Sequence, residues 1–370
     1  MKIAICGGHL TPALAVISEL KKRSLNNIFF IGRSKATEGE SSPSAESTII
    51  PSLGIKFYAI PVGRLQRRFT RYTIPSLLKT PLGLGNSMLI LSQEKPDLVM
   101  SFGSYVALPV VTAAWILGIP SITHEQTVSG GLANKLISRL AKKIALSWPD
   151  SLELFPKGKS VVTGIPIRSE ILNTKKKRTT RPVVFITGGN QGAHSINETI
   201  LEIIEPLLEK YEIVHQTGGA EKVRDYEMLA ARVAQLPRRL QGRYQAFKWL
   251  NSMELAEVYS RTSLVVGRSG ANTVSEVAAL GLPALFIPLP WAGANEQEKN
   301  AQMLQNLGGA LVLVQERLTP KRLLAAINSM IINLDEYRKN SRVVKKIVNP
   351  DAAKIFVDEA IKLLSRKDEV

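Results

Sequence analysis

Short apolar runs in this chain repeatedly end in glycine and lead straight into helical patterns. KIAIC meets GGHLTP, PVVFIT meets GGNQGAHS, and SLVV meets GRSGANTVSE. Brief, continuous apolar runs suit strands buried on both faces, and strands alternating with helices predict parallel sheets. The runs fall into two series. KIAIC, NIFFIG, IKFYAIP, DLVMSFG, SITHE, KKIALS and SVVTG form the first. RPVVFITGG, EIVHQTGG, RYQAF, SLVVGRSG, PALFIP and ALVLV form the second. With 370 residues the chain exceeds the usual size of one core. Two doubly wound α/β domains are therefore expected, joined near Gly164-Ile165-Pro166. Ligands in such sheets sit beyond the carboxyl ends of the strands, so a cleft between the domains is the expected site.

Helical spacing predicts helices over Pro12–Arg23, Gln191–Leu208 and Ala352–Leu364, and EGESSPSAEST reads as a polar loop. Leu98 to Thr123 carries no charge, yet prolines and glycines divide it into strand, helix and strand, too short to be a membrane span. Gly7-Gly8 likewise interrupts any leader-like run after MKIAI.

Glycine permits a sharp turn and a close backbone approach, and the helix start beyond it offers free N–H groups to an anion. No turn fits G-x-G-x-x-G and no Walker lysine motif occurs, which points away from NAD and ATP towards a differently held nucleotide. A formal charge of +17 suits polyanions, whether phosphorylated substrates, anionic lipid or nucleic acid. No nucleic-acid module accompanies it, so nucleic acid is not an expected partner. A single cysteine rules out an internal disulfide framework. All four histidines, His9, His124, His194 and His215, lie near strand ends, with no zinc spacing. His9 is the candidate base, because imidazole accepts a proton at neutral pH.

HEQTVSGGLANKLISRLAKKIALSWP, VTGIPIR, ITGGNQGAHSIN, HQTGG, GRSGANTVSEVAALGLPALFIPLP and ANEQEKNAQ follow one another along the chain. Together they resemble the ordered blocks of the MurG family of peptidoglycan glycosyltransferases. The resemblance implies a GT-B fold, with two Rossmann-like doubly wound parallel-sheet domains facing a deep cleft. Residues 1–164 would form the acceptor and membrane-side domain and 165–349 the UDP-sugar donor domain, with the helix near 350–370 packing back on the first. The reaction implied is inverting transfer of N-acetylglucosamine from UDP-GlcNAc to undecaprenyl-linked lipid I, at the cytoplasmic face of the plasma membrane.

On the donor side the resemblance assigns Arg168 to the nucleotide or its phosphates, and Asn190, where the family has serine, to the donor turn. Leu250 would meet uracil through its main chain, and Ala271, Asn272, Thr273, Val274, Ser275 and Glu276 would open the helix beneath the diphosphate. Glu276 would accept from the ribose hydroxyls, and Gln297, with Glu296 beside it, would bind the sugar. Asn300 would support that turn. On the acceptor side stand Gly7, Gly8, His9, Glu125 and Thr127, with His9 as base and Glu125 orienting or replacing it. Two departures bear on the acceptor: GGH stands where the family has GGTGGH, and Thr127 replaces an asparagine. No D-x-D motif occurs, so neither a metal nor another cofactor is implied. RLQRRFTRY, Arg64–Tyr72, has the composition of a loop that meets an anionic membrane surface. Rival readings are a related GT-B glycolipid transferase with another acceptor, an epimerase, and a non-catalytic UDP-sugar-binding protein.

Overall fold

The computed structural model describes residues 1–35, 43–63, 73–219 and 223–365. The basic loop Arg64–Tyr72 lies outside them. The chain divides into two compact units, Met1–Pro166 with the segment from Pro350, and Ile167–Asn349.

The first unit holds β1 (Ile3–Cys6), β2 (Ile28–Gly32), β3 (Lys56–Ala59), β4 (Leu98–Ser101), β5 (Ser121–Glu125), β6 (Lys143–Leu146) and β7 (Ser160–Val162). Among the described residues they form one parallel sheet in the order β3-β2-β1-β4-β5-β6-β7. β1, β2, β4 and β5 are buried along their whole length, as their unbroken apolar character demands. The helix Ala352–Ser365 packs on this unit, where Phe356, Val357 and Ala360 share a core with Ile3, Ile5 and Phe102. Arg23 pins it by donating to Asp358 at 2.5 Å.

The second unit holds β8 (Val183–Thr187), β9 (Glu212–Gln216), β10 (Tyr244–Phe247), β11 (Thr262–Gly267), β12 (Ala284–Phe286) and β13 (Ala310–Val312). They form a parallel sheet in the order β10-β9-β8-β11-β12-β13. The helix His194–Lys210 lays Ile196, Ile200, Ile203, Ile204 and Leu207 on this sheet.

Both sheets reverse their strand order at one place, between β1 and β4 and between β8 and β11. Loops that leave such a pair diverge to opposite faces and open a crevice. In each unit the glycine turn singled out in the sequence sits at that switch.

Three local expectations shift. The helix after β1 runs Leu10–Lys22, which leaves Pro12 in its first turn, where its missing N–H has no effect. The helix after β8 begins at His194 and not at Gln191, because Gly192 adopts φ 82° and Ala193 is the cap. The serine-rich stretch read as loop, residues 38–48, runs at its end into a helix over Ala45–Ser52, whose Ser44 cap hydroxyl accepts from the Ser47 N–H at 3.1 Å.

Candidate functional site

In the first unit β1 runs into Gly7, Gly8 and His9. Gly7 has φ 129°, and a Cβ there would lie 2.7 Å from the Phe102 carbonyl carbon. Only glycine lets the turn lie against the loop that follows β4. The Gly8 N–H donates to the Gly103 carbonyl at 3.2 Å and the Phe102 N–H to the Cys6 carbonyl at 2.7 Å, which seals the contact. His9 caps the next helix, and its Nδ1 is buried without a hydrogen-bond partner. Burial lowers its pKa below the usual 6.5, and nearby Arg33 lowers it further, against the opposing pull of Glu125 and the Phe102 backbone. His9 is therefore a neutral imidazole at neutral pH, the state a base requires.

Glu125 ends β5 and is buried. One carboxylate oxygen accepts from the Thr127 N–H and hydroxyl, both at 2.8 Å. The other accepts from the Gly131 N–H and the Asn134 amide, both at 2.9 Å. The carboxylate thus ties down the loop that follows β5, and its four acceptor sites are in use. Thr127 is buried and spends its hydroxyl proton on Glu125. Both side chains hold this loop, and the Glu125 charge also acts on His9.

In the second unit the turn after β8 and the loop after β11 enclose a cavity of about 550 Å³. Gly188, Gly189 and Gly192 supply one wall, and Gly270 and Thr273 at the start of the helix Ala271–Leu280 supply another. Gly192 packs so closely on Thr217 that a Cβ would fall 2.1 Å from its carbonyl oxygen. Gln297 also lines the cavity, and its Oε1 accepts from the Leu289 N–H at 3.0 Å, leaving the amide N–H₂ to donate. Asn300 donates to the Ser269 carbonyl at 3.3 Å and so braces the same turn. Glu296, next to Gln297, opens the helix Glu296–Asn306.

Arg268 also lines the cavity, a residue that the sequence motifs did not single out although it sits in GRSGA. Its guanidinium donates to the carbonyls of Ile287 and Pro288, to the Ser195 hydroxyl at 3.0 Å and to Gln315 Oε1 at 2.5 Å. These partners are neutral, and burial brings its pKa down to about 10. Its four Nη donors are thus in use, but no carboxylate offsets its charge, and a half-buried cation facing a cavity between two helix starts is a candidate for meeting an anion there. Arginine directly after a strand-end glycine was the available signal.

Arg168 and Glu276 meet each other. Arg168 donates to Glu276 at 2.8 Å and to the Ser252 hydroxyl at 3.0 Å, and the Tyr259 hydroxyl donates to the second Glu276 oxygen at 3.1 Å. Burial, then the neighbouring carboxylate, raises the Tyr259 pKa well above its ordinary value, so Tyr259 stays a donor. The Arg168 Nε and the Ser275 hydroxyl are buried without partners. Ala271 and Val274 are buried in the first turn of their helix, with Asn272 partly exposed. Leu250 precedes Asn251, whose side chain accepts from the N–H groups of Met253 and Glu254 while Glu254 accepts from the Asn251 N–H. That capping box fixes the backbone at Leu250. Asn190 is exposed at the tip of the turn, and its carbonyl accepts from Gly219 at 3.1 Å.

The sequence matches the glycosyltransferase family 28 N-terminal domain over residues 6–146 and the C-terminal domain over residues 183–355. These matches, together with the two parallel-sheet α/β units, define the chain as a glycosyltransferase of the GT-B fold. It belongs to the MurG family. It is 35% identical over 98% of its length to 97% of the UDP-N-acetylglucosamine–N-acetylmuramyl-(pentapeptide) pyrophosphoryl-undecaprenol N-acetylglucosamine transferase of Bacillus cytotoxicus. The Halalkalibacterium halodurans transferase of the same name is 33% identical, with 95% of this chain and 97% of that protein covered. The crystal structure of Acinetobacter baumannii MurG aligns with a TM-score of 0.74 at 28% identity, covering 98% of this chain and all of that one. A UDP-GlcNAc 2-epimerase from Neisseria meningitidis aligns at 0.65 but at 16% identity, over 98% of this chain and all of that one, and shares the fold alone.

Proposed function

We propose that this chain transfers N-acetylglucosamine from UDP-GlcNAc to the MurNAc hydroxyl of undecaprenyl-pyrophosphoryl-MurNAc-pentapeptide, converting lipid I to lipid II with inversion at the anomeric carbon. The observation that carries the reading is the cavity of the second unit, in which glycine backbone, helix starts and Arg268 present positive charge beside the Gln297 amide. That combination suits a diphosphate attached to a sugar. The hydroxyl of the acceptor attacks the anomeric carbon while His9 takes its proton. The bond from that carbon to the β-phosphate oxygen breaks, and its electron pair leaves with UDP. Arg268 and the helix starts meet a charge that grows during the step, so they favour the transition state over the bound substrate. Glu125 acts by holding its loop and by its field at His9. Arg168 and Glu276, held together, supply the nucleoside end with a buried cation and ribose acceptors.

The lipid acceptor calls for contact with the cytoplasmic membrane surface. Among the described residues no helix is long and apolar enough to cross a membrane. In the first unit the helices Thr73–Glu94 and Ser104–Ile116 pack together and leave Leu82, Leu89, Trp115 and Ile116 exposed. Leu82 and Leu89 are two turns apart and so share a face. Exposed apolar side chains on a strongly basic protein support peripheral binding to anionic lipid.

The test is UDP release from UDP-GlcNAc with and without a lipid I analogue in micelles, with the product read by mass. Acceptor-dependent release and a gain of one N-acetylhexosamine are expected. Release that ignores the acceptor, or binding without turnover, would overturn the reading.

A further inference from the structure

The lining of the donor cavity contains two ionisable side chains among its described residues, Arg268 and His194, and no carboxylate. His194 opens the helix His194–Lys210, and its Nδ1 lies 2.7 Å from Asp225 Oδ1. Asp225 is itself fixed. Asn197 donates from one amide nitrogen to Asp225 Oδ2 at 2.7 Å and to the Thr217 carbonyl at 2.9 Å. Both donors of that amide are then spent, so its oxygen accepts from His215 Nε2, 3.0 Å away. His215 Nδ1 is left as the acceptor for the Tyr244 hydroxyl at 3.1 Å. Burial holds His215 neutral, with its pKa near 3, which agrees with that assignment. The chain of hydrogen bonds therefore ends on a carboxylate that can only accept. His194 must present Nδ1–H to Asp225, which leaves Nε2 as its group for a ligand of the cavity it lines.

A neutral His194 would turn a lone pair towards an incoming diphosphate, whereas a protonated one turns an N–H. The other charged groups around it are Arg268 in the cavity wall, Glu198 one turn along its own helix, and Arg224, Glu227 and Lys248. The last three line a smaller cavity that Asp225 also lines. We propose that His194, positioned by Asp225, is a second cation for the diphosphate of the nucleotide donor, and that it takes up a proton as the diphosphate binds. The proposal rests on the donor reading above.

The test is titration calorimetry of the full chain with UDP-GlcNAc, which has no group titrating near neutrality, at about pH 8 in two buffers of different ionisation heat. Wild-type protein is expected to take up a proton on binding. His194→Gln is expected to take up none and to bind about tenfold more weakly. His194→Arg, a permanent cation, is expected to keep the affinity without the uptake, and Asp225→Asn to lose part of both. Uridine, which has no phosphate, should bind all four proteins alike. At 49% side-chain exposure His194 can be replaced without opening the core. Unchanged uptake in His194→Gln, or an equal loss of uridine and UDP-GlcNAc binding, would overturn this assignment while leaving the donor reading intact. A wild-type protein that binds uridine but not UDP-GlcNAc would overturn both.

Discussion

The two units use one device to different ends. Each runs a strand into glycine and then into a helix at the point where its sheet reverses order, yet the surroundings of the two turns differ in charge. In the first unit the turn is pressed against Phe102 and Gly103, and the histidine that follows is kept neutral mainly by burial. In the second the turn opens on a cavity with a half-buried arginine bonded only to neutral groups. A helix start beside a neutral imidazole suits proton removal, and a helix start beside a fixed cation suits a diphosphate. The lesson is that the strand-to-helix turn sets the position, while the groups packed over it set the chemistry.

The largest expected effect would break this comparison on the side of the first unit. Replacing His9 by Ala should lower turnover by about 100- to 10,000-fold, the range for loss of a general base. The acid limb of the wild-type rate should lie below the ordinary histidine value of 6.5, because the shift of His9 is downward. An acid limb above it would remove His9 from this role.

Acid should destabilise both units alike. His124, in the first unit, has its pKa lowered by burial to about 4, and His215, in the second, to about 3. An unfolded chain binds protons near 6.5, so stability is complete above that value and falls as the pH drops towards the folded values. The loss is on the order of 3–5 kcal/mol for each histidine. Hydrogen exchange followed from pH 7 to pH 4 should show both cores losing protection, and a flat profile would contradict the assignment.

The pair of Arg168 and Glu276 braces the helix Ala271–Leu280, whose start lines the donor cavity. Arg168→Ala leaves Glu276 buried without its cation and should destabilise the protein by about 3–5 kcal/mol, with a lower Tm and weaker UDP binding together. Loss of UDP binding with an unchanged Tm would show that the pair is not structural. The smallest effect is expected from Arg268→Gln, which should weaken UDP binding by about tenfold to a hundredfold through loss of the cation that faces the diphosphate.

Much of the frame was legible. Apolar runs such as VVFIT and SLVVG became strands, and the glycines after them fell at the switch points, because strand burial and turn geometry are local properties. The family and its candidate residues followed from ordered motifs. What could not be read was pairing across long separations. Arg168 and Glu276 stand 108 positions apart, and nothing in either neighbourhood announces the other. Glu125 looked available in HEQT, but its saturation depends on Gly131 and Asn134, brought round by the next helix. Arg268 sits in GRSGA, and its importance emerges from the neutrality of its partners. Ser44, by contrast, could have been read as a cap before the apolar pair Ile49-Ile50.

The division of labour between the two turns is tested most directly by measuring UDP affinity for the His9→Ala and Arg268→Gln proteins side by side. His9→Ala is expected to bind UDP within about twofold of wild type, and Arg268→Gln at least about tenfold more weakly. An equal weakening in both proteins would contradict it.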